Sequence, residues 1–433
     1  MNVAEANFSL DEAEFTAGSA LDTLSSWHGL TQDQHRAIET IVELIGCQPV
    51  ISLDGAAGTG KTTAMRALVA VIKMRYGIRP VVVTPTNKAA TVLQSKGVPA
   101  ATLFARFFTL VEVSKRPKKM VFEPNDKMEK LGEGKIACAE VVIVDEASML
   151  TSWALNHLKR MCDTVILVGD GNQLPPVGDQ ETPRGQFCTR KHDVTLTQVL
   201  RNRGSVLKLA SDILQSKDWR ELAAIDLDDY LPEEDFEVLF VIDRPQLICW
   251  RNVVRRALNA RARKVLGFTN VLPVPGDLML CRDNYDDKLL NGTQVVLDTF
   301  TWTTGARLAK VVLVMPDGSR TMANMDMLRF FEDQLPVQVR QYADFIERFS
   351  HTDEEGAALT YGYAVTAHAA QGGEWPVVVV VDERAGIHGM GKRRFAEDQR
   401  NVPADEGCRR WTYTAVSRAQ ETVYVVDERW CKY

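Results

Sequence analysis

A glycine-rich run with one lysine and three threonines separates an apolar stretch from a helix-forming stretch. It reads Gly-Ala-Ala-Gly-Thr-Gly-Lys-Thr-Thr over residues 55–63, after Val50 to Leu53 and before Ala64 to Lys73. Glycines let backbone N–H groups turn onto phosphate oxygens at the positive end of a helix, where a lysine reaches the β- and γ-phosphates and a hydroxyl holds Mg²⁺. The residues predicted to hold a nucleotide and its Mg²⁺ here are Gly55, Gly58, Thr59, Gly60, Lys61, Thr62 and Thr63.

Two adjacent carboxylates follow a second apolar run, Val141 to Val144. Asp145 can hold the Mg²⁺ that Thr62 contacts, and Glu146 can orient and deprotonate an attacking water. Alone, two acids after a strand are more typical of a solvated turn, so the phosphate loop is what favours catalysis. After the next apolar run, Gln173 can hydrogen-bond the γ-phosphate or the water; the alternative is a proline-terminated loop with an incidental glutamine.

Alternating strands and helices position these residues. Thr31 is placed to cap a helix with apolar residues at helical spacing, and the strand of the phosphate loop follows. Further strands are predicted at Val81 to Val83, Val141 to Val144 and Val165 to Val168, with a helix starting near Asn87. Continuous apolar strands between helices indicate a parallel sheet covered on both faces, with ligands at the carboxyl ends of the strands.

The chain is long enough for more than one folded domain. It has 433 residues and 45% hydrophobic content, beyond the size at which one core stops growing. Residues 1–30 lack a clear period and are expected to form a tail, residues 31–199 the first domain and residues 200–433 the second. In the second, a helix is predicted from Pro245 to Arg263, and the strongest strand from Val377 to Val381.

Two segments interrupt this alternation. Residues 108–137 are polar and fit a hairpin or a solvated loop equally well. Residues 276–355 contain alternating segments and predict a small β-rich insertion. The helix after Ile248 is dense in arginine, a pattern that usually marks a solvated helical face. These arginines are Arg251, Arg255, Arg256, Arg261 and Arg263.

Composition argues against a membrane or exported protein. No stretch approaches the ~20 apolar residues that a membrane helix needs. The segment before Arg36 contains no Lys or Arg, the opposite of a secretory or mitochondrial signal. The eight scattered cysteines are typical of a reduced cytosolic protein, so a cytoplasmic location is expected. A net charge of −6 disfavours a protein that coats nucleic acid with its whole surface but permits a local basic channel.

The order of these motifs resembles that of superfamily 1B helicases, most closely the RecD and Dda branch, from Leu30 to Val426. Thr31-Gln32-Asp33-Gln34 resembles the adenine-contacting Q motif, with Gln34 in the usual place. Val144 to Met149 resembles the Mg²⁺ and general-base motif, and Gly169 to Pro176 the coupling motif. Two arginines stand where the family keeps groups that contact the γ-phosphate: Arg201 and Arg418.

The resemblance also implies a site for single-stranded DNA. Val83 to Ala90, Thr102 to Phe104 and Tyr363 to Gly372 resemble DNA-contacting segments of the branch. Phe104 fits core packing and base stacking equally well. Ala369 departs from the many relatives that carry Lys there, which leaves one phosphate contact open. The residues implied to contact DNA are Thr84, Pro85, Asn87, Thr102, Phe104, Asn252, Thr366 and His368.

The resemblance implies an α/β fold with two RecA-like domains, ATP between them, a hairpin that acts as a pin and a β-barrel-like insertion that braces it. The implied activity is an ATP-dependent, 5′-to-3′ DNA helicase of replication, recombination or repair, compact like phage-encoded members. Its partners would be single-stranded DNA and junctions with duplex; a single-strand-binding protein or a replisome component stays open. The implied catalytic residues are Lys61, Glu146, Gln173, Arg201 and Arg418.

Two other functions remain open, and a third fails to account for part of the chain. The chain could be a single-strand-stimulated translocase subunit of a larger replication or recombination complex. It could be a binding module whose ATPase is vestigial, which the joint presence of the catalytic residues disfavours. A small-molecule kinase would leave the second domain and its arginine unexplained.

Overall fold

The computed structural model divides the chain into two compact units, with the main boundary between Arg203 and Gly204. Each unit is built around its own sheets and is described separately. The structure describes residues 29–115, 118–127, 135–176, 185–198, 204–215, 231–286, 288–349, 356–387 and 404–427.

The first unit is built on a six-stranded parallel sheet with the strand order β3-β2-β6-β7-β1-β8. A separate two-stranded antiparallel hairpin, β4 and β5, rises from it. The strands are β1 (Val50–Gly55), β2 (Val81–Thr84), β3 (Ala101–Thr102), β4 (Phe108–Lys115), β5 (Lys118–Pro124), β6 (Ala139–Val144), β7 (Cys162–Gly169) and β8 (Val194–Leu196).

Helices cover both faces of this sheet, as its doubly apolar strands require. Ile166 on β7 packs in the cluster that contains the helix residues Ile41 and Leu68, whereas its neighbour Val165 packs in the cluster that contains Phe107 and Leu155. The helices of this unit are α1 (Gln32–Leu44), α2 (Lys61–Tyr76), α3 (Asn87–Ser95), α4 (Leu103–Phe107), α5 (Ser152–Met161) and α6 (Gln186–Thr189), with short 3₁₀ turns at Asn125–Lys127 and Ala147–Met149.

The polar excursion after Phe108 is a hairpin, one of the two forms that the sequence left open. Strands β4 and β5 pair from Phe108 opposite Pro124 to Lys115 opposite Lys118. Aromatic rings fill its base: Phe104 lies 4.6 Å from Phe122, measured between ring centroids. The hairpin is therefore anchored on the first sheet unit by apolar contacts.

The second unit has a four-stranded parallel sheet, β15-β9-β16-β17, and a five-stranded antiparallel sheet, β13-β12-β11-β10-β14. The antiparallel sheet is the β-rich insertion. A β-bridge between Met325 and Ala357 joins β13 to the segment before β14. The strands are β9 (Gln246–Cys249), β10 (Leu278–Cys281), β11 (Gln294–Thr301), β12 (Leu308–Val314), β13 (Arg320–Asp326), β14 (Leu359–Tyr361), β15 (Ala364–Thr366), β16 (Trp375–Asp382) and β17 (Ala419–Asp427).

Several helices of the second unit are only one or two turns long. Among the described residues, none of the helices in either unit combines the length and apolarity needed to cross a bilayer. The helices are α7 (Gly204–Gln215), α8 (Glu233–Asp243), α9 (Asn252–Val265), α10 (Met327–Glu332), α11 (Pro336–Val339), α12 (Ala343–Phe349), α13 (Ala367–Ala370) and α14 (Ala404–Val416), with a 3₁₀ turn at Arg340–Tyr342.

The predicted helix from Pro245 to Arg263 was wrong over its first part. Gln246–Cys249 is a fully buried strand that pairs in parallel with β15 and β16, and the helix begins only at Asn252. A four-residue apolar run has no period of its own, so the helical spacing after it extended the prediction backwards. Pairing with β15 on one side and β16 on the other overrides the helical spacing and makes this segment a strand.

The arginines of α9 were also misinterpreted as one solvated face. Arg255 and Arg263 are buried, at 2% and 4% exposure. Arg263 donates to both carboxylate oxygens of Asp277, at 2.8 and 3.0 Å, and its guanidinium lies 4.3 Å from the ring centroid of Tyr361. Arg255 pairs with Asp333. These carboxylates come from the insertion, so the arginines fasten the insertion to the parallel sheet.

Candidate nucleotide-binding site

The phosphate loop leaves the carboxyl end of β1, which lies between β7 and the edge strand β8. Gly58 and Gly60 have φ of 85° and 79°, in the left-handed region that residues with a Cβ rarely adopt. A Cβ on Gly55 would lie only 2.7 Å from Oγ1 of Thr59. Three of the predicted glycines are therefore required by backbone conformation or by space.

Side chains of the loop close over its own backbone. Nζ of Lys61 donates to the carbonyl oxygens of Gly55 at 2.5 Å and Ala56 at 3.1 Å. Oγ1 of Thr59 donates to Ala56 O at 2.9 Å. Thr62 and Thr63 stand on the first turn of α2, Thr62 half-buried and Thr63 exposed. Lys61 thus spans the concave side of the loop, where its charge faces any bound phosphate.

Gln34 supports the loop from the first turn of α1. With Thr31 it forms a capping box, because Oε1 of Gln34 accepts from Thr31 N at 3.0 Å and Oγ1 of Thr31 accepts from Gln34 N at 3.2 Å. Nε2 of Gln34 donates to Gly60 O at 3.2 Å and Thr59 O at 3.4 Å. The structure therefore places Gln34 against the phosphate loop; its contact with adenine stays a prediction.

Asp145 and Glu146 follow β6, next to β7 in the sheet. The N–H of Asp145 donates to Val83 O at 2.9 Å, which extends the strand pairing by one residue. Glu146 has φ of 53°, a left-handed conformation that costs a residue with a Cβ about 1–3 kcal/mol. This left-handed residue ends the extended backbone of β6 directly after Asp145.

Burial, followed by the neighbouring charge of Glu146, raises the pKa of Asp145 to about 7, although the charge of Lys61 opposes the rise. Because burial disfavours the ionised form of this carboxyl group, a nearby cation would stabilise that form strongly. Among the described residues no cluster of three His, Cys, Asp or Glu side chains could hold a metal. One carboxylate and the Thr62 hydroxyl fit Mg²⁺, which keeps waters and takes substrate phosphates as its other ligands.

Gln173 lies in the coupling loop, Gly169 to Pro176, after β7. It is 2% exposed, and its N–H donates to Asp170 O at 3.1 Å. Oδ1 of Asp170 accepts from Asn172 N at 3.0 Å. These local bonds fix the loop backbone at the same sheet edge as the phosphate loop, because β7 pairs in parallel with β1.

Of the two predicted arginines, Arg201 lies outside the described residues. Arg418 lies in the second unit and is 5% exposed. Its guanidinium donates to Thr414 O at 3.2 Å, Gly373 O at 3.4 Å and Ser417 Oγ at 3.1 Å. Within the described parts of the chain, no carboxylate lies within ion-pair distance of Arg418, so its positive charge is met only by neutral acceptors.

The residues predicted to contact DNA in the first unit lie at the ends of β2 and β3. Thr84 is fully buried and its hydroxyl donates to Thr86 O at 2.7 Å, while Pro85 and Asn87 are half-buried at the start of α3. Thr102 caps α4 by accepting from Ala105 N at 3.1 Å. The Thr84 side chain thus has a structural role in this conformation.

Phe104 is half-buried, and its ring packs 5.2 Å from that of Phe108 and 6.4 Å from that of Trp153, centroid to centroid. Trp153 retains 39% exposure and Phe122 retains 40%. Phe104 therefore contributes to packing at the hairpin base and also belongs to an aromatic cluster that reaches the surface.

In the second unit, Thr366 is the last residue of β15 and Asn252 follows the neighbouring parallel strand β9, whose last residue Cys249 pairs with Thr366. Asn252 is exposed and its Oδ1 accepts from Nε of Arg255 at 3.0 Å. Thr366 caps α13 by accepting from Ala369 N at 3.4 Å. His368 is half-buried, and burial lowers its pKa. These three predicted DNA contacts share one edge of the sheet.

Glu383 is a residue at this edge that sequence reasoning missed. It is fully buried and accepts from Trp250 N at 2.6 Å and from Nε of Arg251 at 2.6 Å. It therefore holds the turn that presents Asn252. The available signal was a pair of adjacent acidic residues, Asp382 and Glu383, after the strongest apolar run, Val377 to Val381.

Comparison with known proteins agrees with these features. Residues 29–235 match the family described as AAA domain. The ATP-dependent DNA helicase Dda of Enterobacteria phage T4 is 26% identical over 198 residues, 43% of this chain and 43% of the phage protein. An uncharacterized protein of Methanocaldococcus jannaschii is 31% identical over 153 residues, 32% of this chain and 12% of its own length. The chain thus aligns with less than half the length of these relatives.

Solved structures of Pif1 helicases share the fold. A Pif1 structure concerned with DNA unwinding at forked duplexes has a TM-score of 0.55 at 17% identity and covers 92% of each chain. The Bacteroides Pif1 helicase in complex with ADP-AlF₃ and single-stranded DNA has a TM-score of 0.54 at 17% identity, again over 92% of each chain. The chain therefore shares its fold with these Pif1 structures and part of its sequence with the Dda helicase. The shared fold is the α/β architecture with a parallel sheet in each of the two units.

Proposed function

We propose that the protein is an ATP-dependent DNA helicase that moves along single-stranded DNA from 5′ to 3′ and separates duplex ahead of it. The observation that carries this proposal is the phosphate loop of β1 with Asp145 and Glu146 two strands away at the same sheet edge. A binding module would not need a general base at that place.

The residues of the first unit supply distinct parts of the hydrolysis. Lys61 neutralises charge on the β- and γ-phosphates, and the loop N–H groups hold their oxygens. Thr62 and Asp145 would hold Mg²⁺, which supplies further neutralisation of the phosphates when bound. Glu146 orients the attacking water and accepts its proton, and Gln173 responds to the loss of the γ-phosphate.

Arg418 is proposed to stabilise the charge that develops on the γ-phosphate, together with Arg201. Its buried guanidinium bonds only to neutral acceptors in the described structure, so an incoming anion would compensate a charge that nothing else there balances. An arginine of this kind is worth ~10³ to 10⁵ in the rate of phosphoryl transfer.

Single-stranded DNA and its junctions with duplex are the proposed nucleic-acid partners. Support comes from the Dda relative, named as a DNA helicase, and from Pif1 structures with single-stranded and forked DNA. The direction of movement rests on the resemblance to the RecD and Dda branch. The hairpin of β4 and β5 is proposed as the pin that parts the strands.

The Lys61→Ala variant tests the ATPase part of this proposal. It should abolish ATP turnover stimulated by single-stranded DNA while some DNA affinity remains, because the lysine contacts phosphate and not DNA. Lys73→Ala is the matched control, since Lys73 is an exposed lysine in the last turn of the same helix. Undiminished hydrolysis by Lys61→Ala would overturn the assignment of the loop.

Shortening the hairpin distinguishes a helicase from a translocase subunit. In a self-contained helicase, the shortened chain should keep stimulated ATPase and lose strand separation of a 5′-tailed fork. If the full-length chain separates no fork alone, and the shortened chain retains whatever partner-dependent activity the full-length one has, the translocase function is favoured.

A further inference from the structure

Asp54, the residue directly before the phosphate loop, also touches the coupling loop. Its Oδ1 accepts from the backbone N–H of Gly171 at 2.8 Å. Asp54 pairs with Gly169 across β1 and β7, so it stands beside the strand from which the coupling loop leaves. One side chain therefore joins two loops that lie 117 residues apart in the chain.

The contact is tight because Gly171 has no side chain. A Cβ there would lie 3.4 Å from Oδ1 of Asp54 and 3.3 Å from Nε2 of His192. The distance to His192 is shorter than most Cβ contacts, so His192 or the loop backbone would have to shift by a few tenths of an ångström, whereas the distance to Asp54 is ordinary van der Waals contact. A carboxylate and an imidazole thus enclose the backbone of the coupling loop on the side of β1.

Phe187 completes the support under the coupling loop. Its ring centroid lies 4.6 Å from that of His192, and a Cβ on Gly169 would lie 2.9 Å from its Cε1. Phe187 is 2% exposed. The backbone of the coupling loop therefore packs against Phe187 and His192. Asp54 supplies a hydrogen bond between this loop and β1.

We propose that Asp54 is a positioning residue that couples the two loops, so that a movement of the phosphate loop on nucleotide exchange shifts Gly171 and, two residues on, Gln173. The inference rests on the proposed ATPase and adds one link to it. Asp54 is proposed to contact neither nucleotide nor DNA. Its carboxylate accepts the hydrogen bond from Gly171 N and so fixes the position of Gln173 relative to Lys61.

A second carboxylate, Asp193 just before β8, bonds to the same strand β1 and provides a matched contrast. Oδ2 of Asp193 accepts from both the N–H and the hydroxyl of Ser52, each at 2.8 Å. These bonds tie β1 to the start of β8, and none of them involves the coupling loop. Loss of Asp193 should therefore weaken β1 packing without affecting the link between the loops.

The test compares Asp54→Ala, Asp54→Asn and Asp193→Ala for ATP turnover with and without single-stranded DNA. In Asp54→Ala the DNA-stimulated kcat should fall about tenfold or more, the factor expected for one hydrogen bond to a charged group, while KM for ATP stays within about twofold. Asp54→Asn should restore stimulation, because its Oδ1 still accepts from Gly171. Asp193→Ala should keep the stimulated-to-basal ratio of the unmodified chain.

A further variant guards against simple misfolding. Gly171→Ala keeps the Asp54 carboxylate but adds a methyl group against His192, which displaces the N–H that Asp54 accepts from. It should therefore lower the stimulated kcat like Asp54→Ala, and thermal unfolding of both variants is recorded alongside. Equal stimulation in Asp54→Ala and the unmodified chain would overturn the coupling role, as would equal losses in Asp54→Ala and Asp193→Ala. Absence of ATP turnover in the unmodified chain would instead contradict the proposed function itself.

Discussion

Replacing Gly55 by Ala tests the geometry of the phosphate loop with a single added methyl group. The new Cβ would lie 2.7 Å from Thr59 Oγ1, 3.2 Å from Leu196 Cβ and 3.4 Å from Lys61 Cγ. Gly55 itself does not have a positive φ, so the substitution adds bulk without straining the backbone. Its effect therefore reports on the space inside the loop.

The neighbours of this methyl group have little freedom to move. Thr59 is 2% exposed and its hydroxyl is bonded to Ala56 O, while Gly55 and Leu196 are paired between β1 and β8. Overpacking of this kind costs about 1–3 kcal/mol. If this cost falls on the conformation of the loop that binds phosphates, the Kd for ADP rises about 5- to 150-fold.

The assay is titration of a fluorescent ADP analogue, with the thermal unfolding midpoint as a control for the fold. Thr59→Ala removes the closest atom, so Gly55→Ala combined with Thr59→Ala should bind better than the sum of the two single losses predicts. An unchanged Kd in Gly55→Ala, or strictly additive losses in the double variant, would refute the close approach of these two residues.

Two further predictions concern charge. Because burial and Glu146 raise the pKa of Asp145 to about 7, its protonated form stabilises the fold below the unfolded pKa, and that contribution is lost as pH rises through about 7. Without metal, Asp145→Asn should therefore raise the unfolding midpoint more at about pH 8.5 than at about pH 5; a gain that is equal at both would contradict the shift. Arg263→Met, which leaves Asp277 buried without its partner, should cost about 3–5 kcal/mol in urea unfolding. Arg320→Ala, whose 66%-exposed side chain pairs with Asp298, should cost about 1 kcal/mol or less; similar losses in both would contradict the buried pair.

The first parallel sheet was predictable because its central strands carry their own signal. Val141 to Val144 and Val165 to Val168 are apolar on both faces, and each face meets a different helix cluster. β9 was not predictable, since its four residues carry no period and their strand conformation depends on β15 and β16. The hairpin stayed undecided because its pairing contributes little apolar pattern.

The candidate site divides in the same way. The glycines, Lys61 and the Asp145 and Glu146 pair were predictable because chemistry limits the residue types at that spacing. The buried state of Arg263 was not, because Asp277 approaches it only after the insertion folds. Asp54 was missed for a related reason: its partner Gly171 is distant in sequence and contributes only a backbone N–H.

The central claim is that ATP hydrolysis drives strand separation by this chain. The most direct measurement is ATP-dependent unwinding of forked duplexes with either a 5′ or a 3′ single-stranded tail, with ATPase recorded in the same reactions and Lys61→Ala as the reference without turnover. The account predicts unwinding of the 5′-tailed fork, stimulated ATPase, and neither in Lys61→Ala. Stimulated ATPase without separation of either fork would contradict a self-contained helicase, and unwinding of the 3′-tailed fork alone would contradict the proposed direction.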